Sequence, residues 1–380
     1  MGAEGDAWKK TTRFIVIWMR VASAAVVCMW LMMACGTTAE LLAIVPPQEV
    51  DIRTLPPISL PRDDGSHDNL TEWWYVTGHL ETVEGGQVGF EFVIFKSMRT
   101  GAPTGYAAHF AITDVGSGSF DYAERAAAVT SVVGGEELNL CVGDWILRRV
   151  PGGIAIEASS PENSLQLELI PMKPAALHND TGLLDFSPFG WSYYYSYPRV
   201  KARGVWIDSG LVRPVEGIAW IDHQWGDFIS VGTGGWDWFS IQLDDGRDFT
   251  ASIVRDDGGA TVMKYGTIID AGGASRHLEA HEFSLDATGS WVSPHSGATY
   301  PSGWIIHVPG DALTMHVHPL VEDQELDTRS STGVIYWEGA VSVSDRGNRT
   351  GHGYVELTGY ARPPVMSPVT SARGAPEDTC

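Results

Sequence analysis

Thr71-Glu72-Trp73-Trp74-Tyr75-Val76-Thr77-Gly78-His79-Leu80 runs through Gly85-Gly86 into Val88-Gly89-Phe90-Glu91-Phe92-Val93-Ile94-Phe95. About 165 residues later, Gly235-Trp236-Asp237-Trp238-Phe239-Ser240-Ile241-Gln242-Leu243 runs through Asp245-Gly246 into Phe249-Thr250-Ala251-Ser252-Ile253-Val254. Each stretch is an aromatic strand, a glycine turn and a second apolar strand, the composition that a pleated, half-buried surface prefers. Recurrence at this scale predicts one β-unit used twice.

Between and beyond the hairpins, short apolar segments alternate with Gly, Asp and Pro turns. Leu165, Leu167 and Leu169 alternate with Gln166 and Glu168, the pattern of a strand with one wet face. A second series of such segments runs from Gly217 to Tyr360. Helical periodicity is nearly absent, and Tyr122 to Thr130 is the best short candidate. The expectation is an all-β protein with antiparallel domains at 61–206 and 207–362, meeting near 207–216. Walls this rich in Trp, 15 in 380 residues, predict an apolar ligand cavity.

The composition narrows the partners. Hydrophobic residues at 44% and charged residues at 19% describe a chain able to bury a core. Its net charge of −22 repels phosphates, which argues against nucleic acid. Val21 to Met33 is an apolar run following Lys9, Lys10, Arg13 and Arg20, too short to span a bilayer, and residues 1–35 read as an export signal. Leu31-Met32-Met33-Ala34-Cys35 resembles a lipobox, making Cys35 a lipidation candidate and the membrane a partner through that anchor. Ordinary cleavage after Ala39 is the alternative. Translation can start at Met1 or Met19. Residues 36–60 read as a Pro-rich tether and 363–380 as a disordered tail. Four Cys offer neither a disulfide framework nor a Cys metal site.

The strand most loaded with chemistry is Ala219-Trp220-Ile221-Asp222-His223-Gln224-Trp225. Alternation puts Ala219, Ile221, His223 and Trp225 on one face and Trp220, Asp222 and Gln224 on the other. His223 beside Trp225 is a candidate proton donor in an apolar setting, where desolvation tunes its acidity, and equally a hydrogen-bonded core histidine. Glu72 and Asp237 lie among indoles, either as acids or as ion-pair partners. His316 with His318, and His277 with His281, are weak groupings without a third ligand, so no metal is predicted. No serine elbow, zinc helix, P-loop or dinucleotide fingerprint occurs, and no cofactor is expected.

These residues resemble a known family, the AttH-type lipocalin-like proteins related to carotenoid 1,2-hydratases. The matching stretches are Thr71-Glu72-Trp73-Trp74-Tyr75, Ser192 to Arg199 (Ser-Tyr-Tyr-Tyr-Ser-Tyr-Pro-Arg), Ala219 to Gly226, Gly235 to Gly246, Tyr336 to Val341 and Gly353 to Tyr360. The resemblance implies two lipocalin-like (calycin-type) antiparallel β-barrels packed side by side. It also implies an exported protein binding an apolar isoprenoid- or lipid-like ligand, with hydro-lyase chemistry of the hydratase kind. His223-Gln224-Trp225 matches the hydratases' His-x-Trp element and makes His223 the candidate catalytic acid. Their later Tyr-x-Asp pair has no counterpart in Phe249 to Val254. Trp225, Trp236, Trp238, Glu72, Trp74 and Tyr195 are the candidate ligand contacts. A non-catalytic ligand-binding lipoprotein and a secreted hydrolase are the alternatives.

Overall fold

The computed structural model describes residues 50–99, 103–127, 137–187, 190–228, 234–345 and 348–361. The predicted signal segment with Cys35, the tether before residue 50 and the tail at 363–380 lie outside them.

Both aromatic hairpins form. The first is β1 (Thr71–Thr82) with β2 (Gln87–Ser97), continued by β3 (Gly105–Asp114) and β4 (Ser119–Ala127). Short strands follow: β5 (Asn139–Val142), β6 (Trp145–Val150), β7 (Gly153–Ser159), β8 (Asn163–Pro171), β9 (Ala176–Leu177) and β10 (Leu183–Asp185). Two long strands, β11 (Gly190–Asp208) and β12 (Leu211–Phe228), complete this 12-stranded sheet. The second hairpin is β13 (Gly235–Leu243) with β14 (Asp248–Arg255), followed by β15 (Thr261–Ile269), β16 (Ser275–Leu278) and β17 (Ser284–Ala287). A separate pair, β18 (Ser290–Val292) with β19 (Thr299–Pro301), precedes β20 (Trp304–Val308) and β21 (Leu313–Pro319). The chain ends on β22 (Glu325–Thr328), β23 (Val334–Asp345) and β24 (Asn348–Thr358).

The winding repeats. The first sheet is ordered β4-β3-β2-β1-β12-β11-β8-β7-β6-β5, and the second β16-β15-β14-β13-β24-β23-β21-β20-β17. In each, the opening strand lies between the second strand and the last. One sheet curls into a nearly closed barrel and the other into a half-barrel beside it. Pleat alternation gives each sheet a core face. Trp74, Val76 and Leu80 of β1 join Phe90, Phe92 and Phe110 around Trp145 inside the first. Phe239, Ile241, Trp304 and Trp337 do the same in the second. Aromatic side chains thus pack against one another in the interior of the first sheet.

Four expectations need correction. Tyr122 to Thr130 is not helical as far as it is described; Ser119–Ala127 is β4, because Phe120 and Tyr122 alternate onto an apolar cluster with Leu326 and Tyr336. The interval 207–216 is no boundary but the tip of the β11–β12 hairpin, turning at Ser209 and Gly210 with positive φ (48° and 86°). Its solvated tip, with Leu211 and Val212 exposed, has the composition of a linker. The described end of the tether also packs down: Ile52, Leu55, Ile58 and Leu60 cover Tyr193, Tyr195 and Trp225. Finally, Cys141 on β5 is disulfide-bonded.

Candidate functional site

Register alone builds one polar cluster at the end of the first barrel. Glu72 lies opposite Lys96 on β2 and opposite Trp225 on β12, while His223 lies between Trp74 and Tyr195. All point inward on the face that holds the apolar core. Glu72 accepts from His223 Nε2 at 3.1 Å, from the His67 ring and backbone, and from Lys96 Nζ at 3.3 Å. Tyr195 donates to Asp64 and lies 3.2 Å from His223 Nδ1; Arg149 completes the Asp64 pair. Trp74 stacks on His223 with ring centroids 4.8 Å apart, and Trp225 stacks on His67 at 4.1 Å.

The electrostatics of this cluster are balanced. Burial pulls His223 down to about 4, against the upward pull of Glu72, so at neutral pH it is an uncharged donor. Burial pushes Glu72 up, but the histidine hydrogen bonds more than offset it and hold the carboxyl below its usual range. Lys96 meets the charge. His67, Glu72 and His223 are the one set of at least three potential metal-ligating residues that converge tightly among the described residues. The lysine ammonium already occupies the role a cation would take there. His223 and Glu72 are fully buried, whereas His67 is part-exposed.

The opposite face of the same strands meets the second sheet, and here the balance fails. Alternation turns Tyr75 and Thr77 of β1, Glu91 of β2 and Asp222 of β12 toward the second sheet, with Tyr194 and Ser196 of β11. Tyr336 and Glu338 of β23, Tyr354 and Glu356 of β24, and Trp236 and Trp238 of β13 face them. Glu338 and Glu356 are direct cross-strand partners, an arrangement that repels when both are ionised. Burial pushes Glu356 up to about 7, Glu91 to about 8, Asp222 to about 6, and Glu338 well above the carboxylate range. The neighbouring glutamates raise Glu338 further.

Partners are unevenly supplied in this layer. Asp222 accepts from Tyr194, Ser196 and, at 2.5 Å, Trp220 Nε1; Ser196 continues through His178 to Thr267 of the second sheet. Glu356 accepts from Trp236 Nε1 at 2.9 Å, and Glu91 from Tyr336 at 2.9 Å. Neither oxygen of Glu338 has a partner in hydrogen-bond geometry, nor have Glu91 Oε2, Tyr75 OH or Thr77 Oγ1. The Tyr75 hydroxyl faces Glu338 closely enough to oppose its shift only in part.

The residues singled out from sequence thus divide between two places. His223, Glu72, Trp74, Trp225 and Tyr195 meet at the barrel end, whereas Trp236 and Trp238 lie in the layer between the sheets, Trp238 donating to Tyr194 at 3.0 Å. Asp237 is an ion-pair partner of Arg255 at 2.6 Å and accepts from Tyr360. His277 lies on β16 and shares no helix with His281. An open groove of about 1340 Å³ beside β1, β7, β8, β11 and β12, lined by Leu80, Glu157, Glu168, Lys201, Arg203 and Glu216 among others, includes no residue of either cluster. Sequence reasoning passed over Glu91, Glu338 and Glu356. Their signal is legible afterwards: Tyr336-x-Glu338 and Tyr354-x-Glu356 repeat an aromatic and an acid on one strand face.

The family model described as AttH-like matches residues 52–360. The fold is similar to a Nitrosomonas europaea AttH structure at TM-score 0.74 and 32% identity, covering 81% of this chain and 98% of that one. It is also similar to kievitone hydratase from Nectria haematococca at TM-score 0.65 and 16% identity, covering 82% and 97%. No curated protein matches the chain.

Proposed function

The chain belongs to the AttH-like family, and from that premise we propose that it takes up an apolar, alkene-bearing ligand of the isoprenoid or lipid kind between its two sheets and hydrates it. One observation carries the reading: Glu338 is buried opposite Glu356 with no charged partner, and only the Tyr75 hydroxyl comes near its carboxyl. A carboxyl kept neutral at pH 7 by burial is a proton donor, and an apolar, aromatic-lined setting is where such a donor acts on a weakly basic alkene. Kievitone hydratase, a fold relative, is by its name a hydratase.

In this reaction the Glu338 carboxyl gives its proton to the less substituted alkene carbon. Positive charge develops on the more substituted carbon, facing the rings of Tyr75 and Trp238, which are 5.2 Å apart. Water adds its oxygen there and loses a proton to a carboxylate of the layer, so one water is consumed and the acids are restored. His223 fits the donor role poorly, being neutral, stacked and committed to Glu72.

The test is incubation with squalene or lycopene in oxygen-18 water, followed by mass spectrometry of tertiary alcohols. Wild type and His223→Ala should both incorporate label, while Glu338→Gln should not. Label persisting in Glu338→Gln defeats the acid assignment. Retention of the alkene by wild type with no label leaves binding without chemistry.

A further inference from the structure

The layer between the sheets lacks two things at once. Glu91, Glu338 and Glu356 come from three strands, yet among the described residues no lysine or arginine pairs with any of them; Arg255, on β14, is committed to Asp237. The groups short of partners are all oxygens: the carboxyl of Glu338, which meets only the Tyr75 hydroxyl, with Oε2 of Glu91 and Oγ1 of Thr77. What is missing is positive charge together with N–H donors. Uncompensated polar burial of this kind is costly, and native structures seldom retain it without a reason.

We infer that this layer is a receptor for a primary ammonium group on an apolar tail, its N–H donors going to Glu338, Glu91 and Tyr75 and its tail lying against Trp238 and Tyr354. The inference rests on the reading above that the layer admits a ligand, and it specifies the charge that ligand carries or develops. A metal ion answers the same deficit less well. The three glutamates are not among the groups that converge closely enough to hold one, whereas an ammonium nitrogen with three diverging donors reaches oxygens set further apart. The groups facing the site are Tyr75 and Thr77 from β1, Glu91 from β2 and Asp222 from β12. Across the layer stand Trp238, Tyr336, Glu338, Tyr354 and Glu356. Docking of the ammonium ionises one carboxyl, which passes its proton to solvent, so R–NH₃⁺ and a carboxylic acid become an ion pair and one released proton. A carbocation formed during hydration meets the same oxygens.

The experiment is titration calorimetry of the full chain at pH 7 in 0.15 M KCl, with 3-methylbutylamine and its neutral counterpart 3-methylbutan-1-ol, in phosphate and in HEPES. The amine should bind at least about tenfold more tightly, the yield of charge-assisted hydrogen bonds. The dependence of heat on buffer should report release of about one proton per amine. Glu338→Gln and Glu91→Gln, checked for folding by circular dichroism, should each lose about tenfold in amine affinity and keep the alcohol's. Equal binding of amine and alcohol, or no proton release, overturns the charge preference and spares the ligand layer. Amine binding unchanged in both variants places it on the acidic surface and overturns the site. Binding of neither compound overturns this inference and the ligand-layer reading together.

Discussion

The two faces of the first sheet meet buried acids of similar depth and opposite fate. On the inner face, Glu72 has a lysine, two imidazoles and a serine hydroxyl, and its carboxyl is held ionised. On the outer face, Glu91 of β2 meets Glu338 and Glu356 of the second sheet; none of the three pairs with a lysine or arginine among the described residues, and burial raises all three carboxyls. Burial is common to both and cannot separate fastening from function. The supply of partners does: a satisfied network holds a fold together, and an unsatisfied one leaves a capacity to bind or to give a proton.

That contrast breaks most visibly at Glu72. Glu72→Gln strands the Lys96 ammonium in a buried site, and urea unfolding should show a loss of about 3–5 kcal/mol. A next, smaller effect separates the faces by pH. In the native state Glu91 keeps its proton up to about 8 while the unfolded chain loses it near 4.5, so the native state binds more protons and stability falls as pH rises between those values. His109 and His178, held near 3, and His223, near 4, do the reverse: the unfolded chain takes protons below 6.5, and stability falls as pH drops from there. Thermal unfolding across pH 4–9 should therefore show a maximum on the mildly acidic side of neutrality. Glu91→Gln should flatten the alkaline limb, gaining on the order of 2–4 kcal/mol at pH 8 and little at pH 5, with the acid limb intact. An unchanged alkaline limb would remove the protonated state from the layer. The smallest effect concerns spacing. A Cβ on Gly89 would stand 2.6 Å from Ala340 Cβ and 2.8 Å from the Tyr354 hydroxyl, so Gly89→Ala should cost about 1–3 kcal/mol by forcing the sheets apart. Hydrogen exchange should rise along β2 and β24, and the barrel-end cluster should remain protected.

Much of this arrangement was legible in residues close together along the chain. Both hairpins, the alternation of Leu165, Leu167 and Leu169, and the opposed directions of Asp222 and His223 follow from the period of a strand. Family resemblance supplied the paired barrels. What escaped depends on which faces meet. Glu91 sits in the run Val88 to Phe95 like any polar interruption, and only the packing of β1 and β2 against β24 and β23 makes it a neighbour of Glu338 and Glu356. The hairpin tip at Ser209-Gly210 was read as a boundary because solvation, not chain separation, set its composition. The partners of His223 escaped as well, since no local signal announces that Glu72 and Lys96 arrive from strands 151 and 127 positions away.

Placing the opening strand beside the closing one has a temporal consequence. Thr71 finds its partner in Gly226, and Asp237 finds its partner in Leu357. During synthesis β1 waits with one edge bare until more than a hundred further residues have been made, and β13 then waits in the same way. Loop closure over such separations is slow, and an unpaired strand edge invites other chains. The period of greatest exposure to aggregation for this protein is thus written into its winding, and it occurs twice in every copy made.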